Sequence, residues 1–203
     1  MKAINHEGYD WTPWLNNEGV AVAVVDYELP EGDRRRPLGD VAATYKILAD
    51  SASVWNIDPE AVGVMGFSAG GHLASTVATH PDESFAPAFQ ILFYPVVSLD
   101  KAITHAHTRI GFIGENGDDK LAAEYSSENK VSPSTPRAIM FLCSDDEPVP
   151  PENSIRYFSA LQRNGVPVSM MVYPEGGHGW GFGTQFRYHD EVLSTLSAWL
   201  KSF

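Results

Sequence analysis

Cysteine is almost absent from this sequence. Among its 203 residues only Cys143 carries a thiol, which excludes an internal disulfide, and no CxxC pair or Cys/His cluster has the spacing of a zinc site. A lone cysteine of this kind reads as a small buried apolar residue rather than a reactive thiol. Basic residues are also scarce: 14 Lys and Arg face 26 Asp and Glu, giving a formal charge of −12. A surface of that sign repels phosphate backbones and anionic lipid, so neither nucleic acid nor a membrane is an expected partner. No apolar run approaches the roughly 18 residues of a membrane span, and the opening stretch MKAINHEGYDW lacks the apolar core of a signal peptide. As written, the chain reads as soluble and cytoplasmic, and it contains no internal repeat or low-complexity tract.

What is present is enough apolar material, 43% of residues, to bury one sizeable core in a single domain spanning 1–203. Apolar runs of strand length alternate with segments of helical period. Residues 20–27, VAVAVVDY, do not alternate, as expected of a strand covered on both faces, and further strands are expected at 61–66, 89–94, 138–143 and 168–173. Leu38, Val41, Ala42, Tyr45 and Leu48 recur at three and four residues and predict a helix face. Other helices are expected near 69–80, 152–164 and 187–202, and an early one carries Tyr9, Trp11 and Trp14. Such alternation predicts an α/β fold with a mostly parallel sheet and sites beyond the carboxyl ends of its strands. The one long irregular region, about 97–136, reads as an insertion over the sheet.

The stretch VGVMGFSAGGHLAST, residues 62–76, sets Ser68 between Gly66 and Gly70 where a strand gives way to a helix. A strand-to-helix turn rich in glycine is the context of a nucleophile elbow: the small residues permit close backbone approach and a strained serine. The amide of Ala69, at the start of the helix, then faces a developing oxyanion. A serine hydroxyl is a weak nucleophile without a base, so a histidine and a carboxylate should follow later strands. Strand 138–143 runs into Ser144-Asp145-Asp146, and strand 168–173 runs into Gly176-Gly177-His178-Gly179-Trp180. The chain order Ser68, Asp146, His178 is that of α/β-hydrolase triads. Asp145 is the alternative carboxylate, its other reading being a cap on the turn before helix 152–164. Trp180, with Phe182, could wall the base as an apolar or sugar-stacking surface, and core packing explains the pair equally well. Tyr9, Trp11 and Trp14 are expected in the core. His72 and His80 read as surface or packing residues of the helix after Ser68. His105 and His107 lack a third ligand for a metal. Asp118 and Asp119 read as solvated turn residues, and Arg34, Arg35 and Arg36 as a charged loop with a substrate contact as the lesser reading.

The blocks HEGYDWTPWLNNEGVAVAVVDYELP, VGVMGFSAGGHLASTVATH, YSSENKVSPSTP and SDDEPVPPENSIRYFSALQRNGVPVSMMVYPEGGHGWG resemble the bacterial α/β-hydrolase esterases known as acetyl xylan esterases or xylanase-associated esterases. The resemblance covers nearly the whole chain. It implies Ser68 as nucleophile, Asp146 as the acid and His178 as the base, favouring Asp146 over Asp145. It further implies hydrolysis of short acyl esters, particularly acetyl groups on plant polysaccharide, without a metal or organic cofactor. One departure stands out. Members of that family carry a HGGG or PGGG loop shortly before the HEGYDW block, whereas here Met1 stands five residues before His6. The expectation is therefore an N-terminally shortened α/β-hydrolase, helices on both faces of its sheet, with one oxyanion donor and reduced activity. Its open strand edges would favour a homo-oligomer, and a lost leader would leave localisation undecided. Two other readings remain: a peptidase of related fold, and a noncatalytic binding module that needs a partner chain.

Overall fold

Apolar runs that do not alternate become strands here because both of their faces are covered. In the computed structural model, which describes residues 3–80 and 86–203, four strands form one sheet: β1 (Val64–Phe67), β2 (Phe89–Phe93), β3 (Arg137–Cys143) and β4 (Val168–Tyr173). All pairs are parallel, in the order β1-β2-β3-β4, with Phe67 opposite Phe93, Phe93 opposite Phe141 and Cys143 opposite Tyr173. The helices are α1 (Thr12–Asn17), α2 (Arg35–Trp55), α3 (Ser68–Thr79), α4 (Ala106–Ile113), α5 (Asp119–Glu124), α6 (Glu152–Arg163) and α7 (His189–Leu200). Successive strand residues enter opposite cores. Ile91, Phe93, Ile139, Phe141 and Cys143 pack with Trp11 and Leu15 near α1 and with Val192 and Leu196 of α7. Leu92, Ala138 and Met140 pack with Ala74 of α3 and with Tyr157 and Leu161 of α6. Each fully buried Ile, Leu, Phe or Met among them contributes about 1.5–3 kcal/mol. The one polar residue on that second face, Gln90, is fully buried and satisfied: Tyr157 donates to its Oε1 at 2.9 Å and its Nε2 donates to Pro136 O at 3.0 Å.

The strand expected at 20–27 is absent. A strand is a relation to a neighbour, and β-branched residues cannot supply the missing ladder partner. Among the described residues β1 pairs only with β2, and the 20–27 segment runs without ladder bonds, leaving Val22 36% exposed. Helices do lie on both faces, with α2 as an outer layer whose Leu38, Val41 and Tyr45 rest on Leu73 and Val77 of α3.

The 97–136 region is more ordered than its sequence suggests, because α4 and α5 are too short for a helical period to be legible. Three polar devices hold them. Asp118 caps α5 by accepting from Leu121 N–H at 2.7 Å. The buried Arg109 guanidinium donates to Leu99 O and Gly117 O and pairs with Asp119. Beneath them Leu99, Phe112, Ile113 and Ala122 form a small core of their own.

His72 ties this region to α3. Its Nε2–H donates to Tyr125 O at 2.8 Å and its ring meets Phe112 edge-on, centroids 4.5 Å apart. It is 1% exposed, and Nδ1 meets no polar partner among the described residues. A proton there would be an uncompensated buried charge, so burial lowers its pKa from 6.5 to about 4. The unfolded chain takes up that proton below pH 6.5 and the folded chain resists until about pH 4. The resulting stability is thus complete above the upper value and is lost as pH falls through the window, by about 3 kcal/mol in all. Urea midpoints at pH 7 and pH 4.5 should fall further in the parent protein than in His72→Leu; equal slopes would contradict this origin.

Candidate active site

At the end of β1 the backbone reverses sharply into α3, and Ser68 sits at the reversal with φ +50°, in the left-handed region. Serine adopts this conformation only where its surroundings over-determine it. They do so through missing side chains. A Cβ on Gly66 would stand 2.3 Å from Gly70 O and 2.8 Å from Ala74 Cβ, and one on Gly71 would stand 2.6 Å from Pro95 Cβ. The turn is further pinned by Val96 N–H, which donates to Ser68 O at 3.0 Å. Gly66→Ala should therefore destabilise the protein by about 3 kcal/mol, or roughly 6–12 °C in thermal midpoint, since backbone rather than a flexible side chain must yield. A midpoint shift below about 2 °C by calorimetry would refute that account of the turn.

Ser68, His178 and Asp146 form one hydrogen-bonded row. Ser68 Oγ lies 2.7 Å from His178 Nε2, and His178 Nδ1–H donates to Asp146 Oδ2, also at 2.7 Å. Asp146 is 4% exposed, and its other oxygen accepts from Val149 N–H at 2.9 Å. The carboxylate thus fixes the tautomer with Nδ1 protonated and Nε2 free to accept from the serine. Asp145 is elsewhere. Its oxygens accept from Gly177 N–H at 2.8 Å and Gly176 N–H at 3.1 Å. Those bonds, Gly177's foremost, hold its carboxyl below the usual carboxylate range. It therefore secures the loop before His178, and it does not cap α6, which has no side-chain cap. Ala69, second residue of α3, contributes an N–H that has no acceptor within the helix, next to Ser68 at the positive end of the helix dipole.

The other expected residues separate. Trp180 is stacked on Phe186, centroids 4.1 Å apart and planes at 4°, with Tyr94 edge-on at 5.1 Å. That ring face is closed to a sugar, and core packing is the better account of it. Phe182 meets Trp11 at 5.0 Å. Trp180 and His178 also line a shallow groove of about 580 Å³ with Asp145, Glu175, Gln185 and Arg187. Trp11 is 2% exposed and central to the core, Trp14 packs partly buried against it, and Tyr9 stands 52% exposed, outside the core expected for it. Arg35 pairs with Asp33, Arg36 with Glu28 and Glu31, and Arg34 lies over the Tyr125 ring. Cys143 is fully buried, and burial raises its thiol pKa to about 11. His80 stacks on Tyr125. His105 and His107 have rings 5.6 Å apart, and among the described residues no group of three His, Cys, Asp or Glu could hold a metal. Burial lowers the pKa of His105, and the neighbouring His107 acts in the same direction.

Sequence reasoning missed Tyr94 and Glu7. Tyr94 lies edge-on to the His178 ring at 4.7 Å and donates to Glu7 Oε1 at 2.9 Å. The bond joins residues 87 apart and leaves no trace in local spacing. The only available signal was the position of Glu7 within the HEGYDW block.

With this geometry in hand, likenesses to known proteins become informative. The sequence model of the prolyl oligopeptidase family matches residues 34–203. An acetylxylan esterase of Xylanibacter ruminicola is 48% identical over 206 positions, covering 100% of this chain and 43% of that protein. Endo-1,4-beta-xylanase B of Butyrivibrio fibrisolvens is 30% identical over 190 positions, covering 86% of this chain and 30% of that protein. The chain therefore spans less than half the length of these curated relatives. A solved structure, the acetyl ester-xyloside bifunctional hydrolase from Caldicellulosiruptor lactoaceticus, superposes with a TM-score of 0.91 at 35% identity. That match covers 98% of this chain and 77% of that one.

Proposed function

Because the chain belongs to the prolyl oligopeptidase family and has the α/β-hydrolase fold, we propose that it is a serine esterase acting on short acyl esters, acetyl groups on xylan foremost. The observation that carries this reading is the Ser68–His178–Asp146 row, with both contacts at 2.7 Å. Ser68 Oγ attacks the ester carbonyl carbon while His178 Nε2 takes its proton. Asp146 remains ionised and stabilises the imidazolium. The negative charge on the carbonyl oxygen is met by the Ala69 N–H, a kind of contact worth about 2.7–4 kcal/mol in the transition state. Collapse expels the sugar alcohol, which receives the proton from His178, and leaves an acetyl ester on Ser68. Water then attacks that ester, with His178 again as base, releasing acetate and restoring the serine. No metal or organic cofactor enters any step.

The acetylated-xylan part of the reading is supported by the names of the related esterase and xylanase and of the structural neighbour. Its test is acetate release from acetylated xylan alongside hydrolysis of p-nitrophenyl acetate. Release from both is expected. Cleavage of p-nitrophenyl acetate without acetate from xylan would remove the polysaccharide, and cleavage of a prolyl peptide anilide without either ester would make the protein a peptidase.

A further inference from the structure

The base sits in a loop with little stiffness of its own. Gly176, Gly177, Gly179 and Gly181 all have positive φ, at +136°, +60°, +77° and +48°. Glycines at such angles leave a chain many alternatives once its contacts are lost. Yet a general base must be held to a fraction of an ångström, since small displacements cost large factors in rate. Asp145 grips the loop before His178 through the Gly176 and Gly177 amides. A second grip is needed after it.

Tyr94 supplies that grip. Immediately after β2 its N–H donates to Phe141 O at 2.7 Å, and its backbone turns through φ +35°, a left-handed conformation costly for an aromatic residue. The turn carries its ring beneath the His178 ring, 1% exposed, with its hydroxyl between two partners. Gly181 N–H donates to that hydroxyl at 2.9 Å, and the hydroxyl donates to Glu7 Oε1 at 2.9 Å. Beside it, Phe182 N–H donates to His6 O at 2.8 Å, and a Cβ on Gly181 would stand 2.4 Å from that oxygen. Residues 6–7 and 94 therefore close on the loop three residues beyond the base.

Building on the esterase reading above, we propose that Glu7 and Tyr94 are positioning residues for His178: Glu7 orients the Tyr94 hydroxyl, which holds the Gly181 amide and so fixes the loop that carries the base. The role demands an acceptor oxygen at residue 7 rather than a charge. Burial pushes the Glu7 carboxyl upward, opposed by the Tyr94 bond and by His6 and His178, and an oxygen remains for Tyr94 in either protonation state. Glutamine should therefore substitute for Glu7, and leucine should not.

The test compares Tyr94→Phe, Glu7→Leu and Glu7→Gln, each first titrated to completion with a fluorophosphonate to count reactive Ser68. Turnover of p-nitrophenyl acetate per titrated serine should fall about tenfold to a hundredfold in Tyr94→Phe and Glu7→Leu, with KM within about twofold and Glu7→Gln within about threefold of the parent. A purely structural role would lower the thermal midpoint or the titratable fraction and leave turnover per serine unchanged. That result, or Glu7→Gln failing as Glu7→Leu does, would overturn the proposal. The far-downfield proton resonance of His178 Nδ1–H gives a readout that needs no turnover: it should broaden or vanish in Tyr94→Phe and Glu7→Leu and persist in Glu7→Gln. If the parent hydrolyses no ester, the esterase reading fails, and this resonance alone decides, its persistence in all three variants being the contrary result.

Discussion

Ser68→Ala should lower kcat on p-nitrophenyl acetate by about 10⁶-fold while leaving KM within about threefold, because the hydroxyl acts only in the chemical step. The size follows from the geometry. Under the proposed mechanism Ser68 Oγ, 2.7 Å from His178 Nε2, needs no reorganisation in the protein to attack, and alanine removes the attacking atom. What survives is the residual catalysis of bound ester beside the Ala69 amide, available to water without a positioned nucleophile. Adding His178→Ala to Ser68→Ala should cost almost nothing more, since the two act as a unit and their effects do not add. Steady-state assays with the fluorophosphonate-titrated parent as reference separate this loss from a smaller pool of folded enzyme. A Ser68→Ala variant retaining a tenth of parental turnover would show that the elbow serine is not the nucleophile. The fold should be untouched, since alanine at this position loses no packing, although it shares the serine's left-handed strain.

Why the Ser68 turn was legible from the sequence, while the Tyr94–Glu7 contact was not, is a matter of range. The elbow is a local object: Gly66, Gly70 and Gly71 lie within five residues of one another, and a Cβ on Gly66 would strike the turn itself while one on Gly71 would strike Pro95. Asp146 and His178 were legible for a related reason, each following a strand that a continuous apolar run announces. The 20–27 run announced a strand with equal force and does not form one, because pairing depends on what lies beside it and not on its own propensity. Asp145 and Asp146 are indistinguishable in composition. Only the fold turns one carboxylate inward to the imidazole and the other onto two glycine amides. Trp180 shows the converse limit: an aromatic beside a base is as readily a core ring, and its partner Phe186 lies in a loop whose sequence gives no hint of stacking. Tyr94 and Glu7 are joined across 87 residues, a separation at which no spacing rule operates.

The two adjacent aspartates offer the second large effect, because one substitution made at each asks which carboxylate serves the imidazole. Asp146→Asn should lower kcat by about 10⁴-fold with little change in fold. An asparagine there has one acceptor and one donor where the carboxylate had two acceptors. Val149 N–H already occupies Oδ1 at 2.9 Å, so the amide oxygen is held on that side and the NH₂ is left facing His178 Nδ1. Facing a donor, the imidazole moves its proton to Nε2, where it can no longer accept from Ser68. Rotating the amide would restore that tautomer only by setting NH₂ against the Val149 N–H in a site 4% exposed. Asp145→Asn meets a milder version of the same problem. One of the two glycine amides loses its acceptor, but on an exposed edge where water can replace it, so about a tenfold loss in kcat is expected. The two variants should thus differ by about a thousandfold, measured as kcat per titrated serine on the same ester. Equal losses, or a greater loss in Asp145→Asn, would mean that the short Nδ1–Oδ2 contact is not what sets the tautomer of the base.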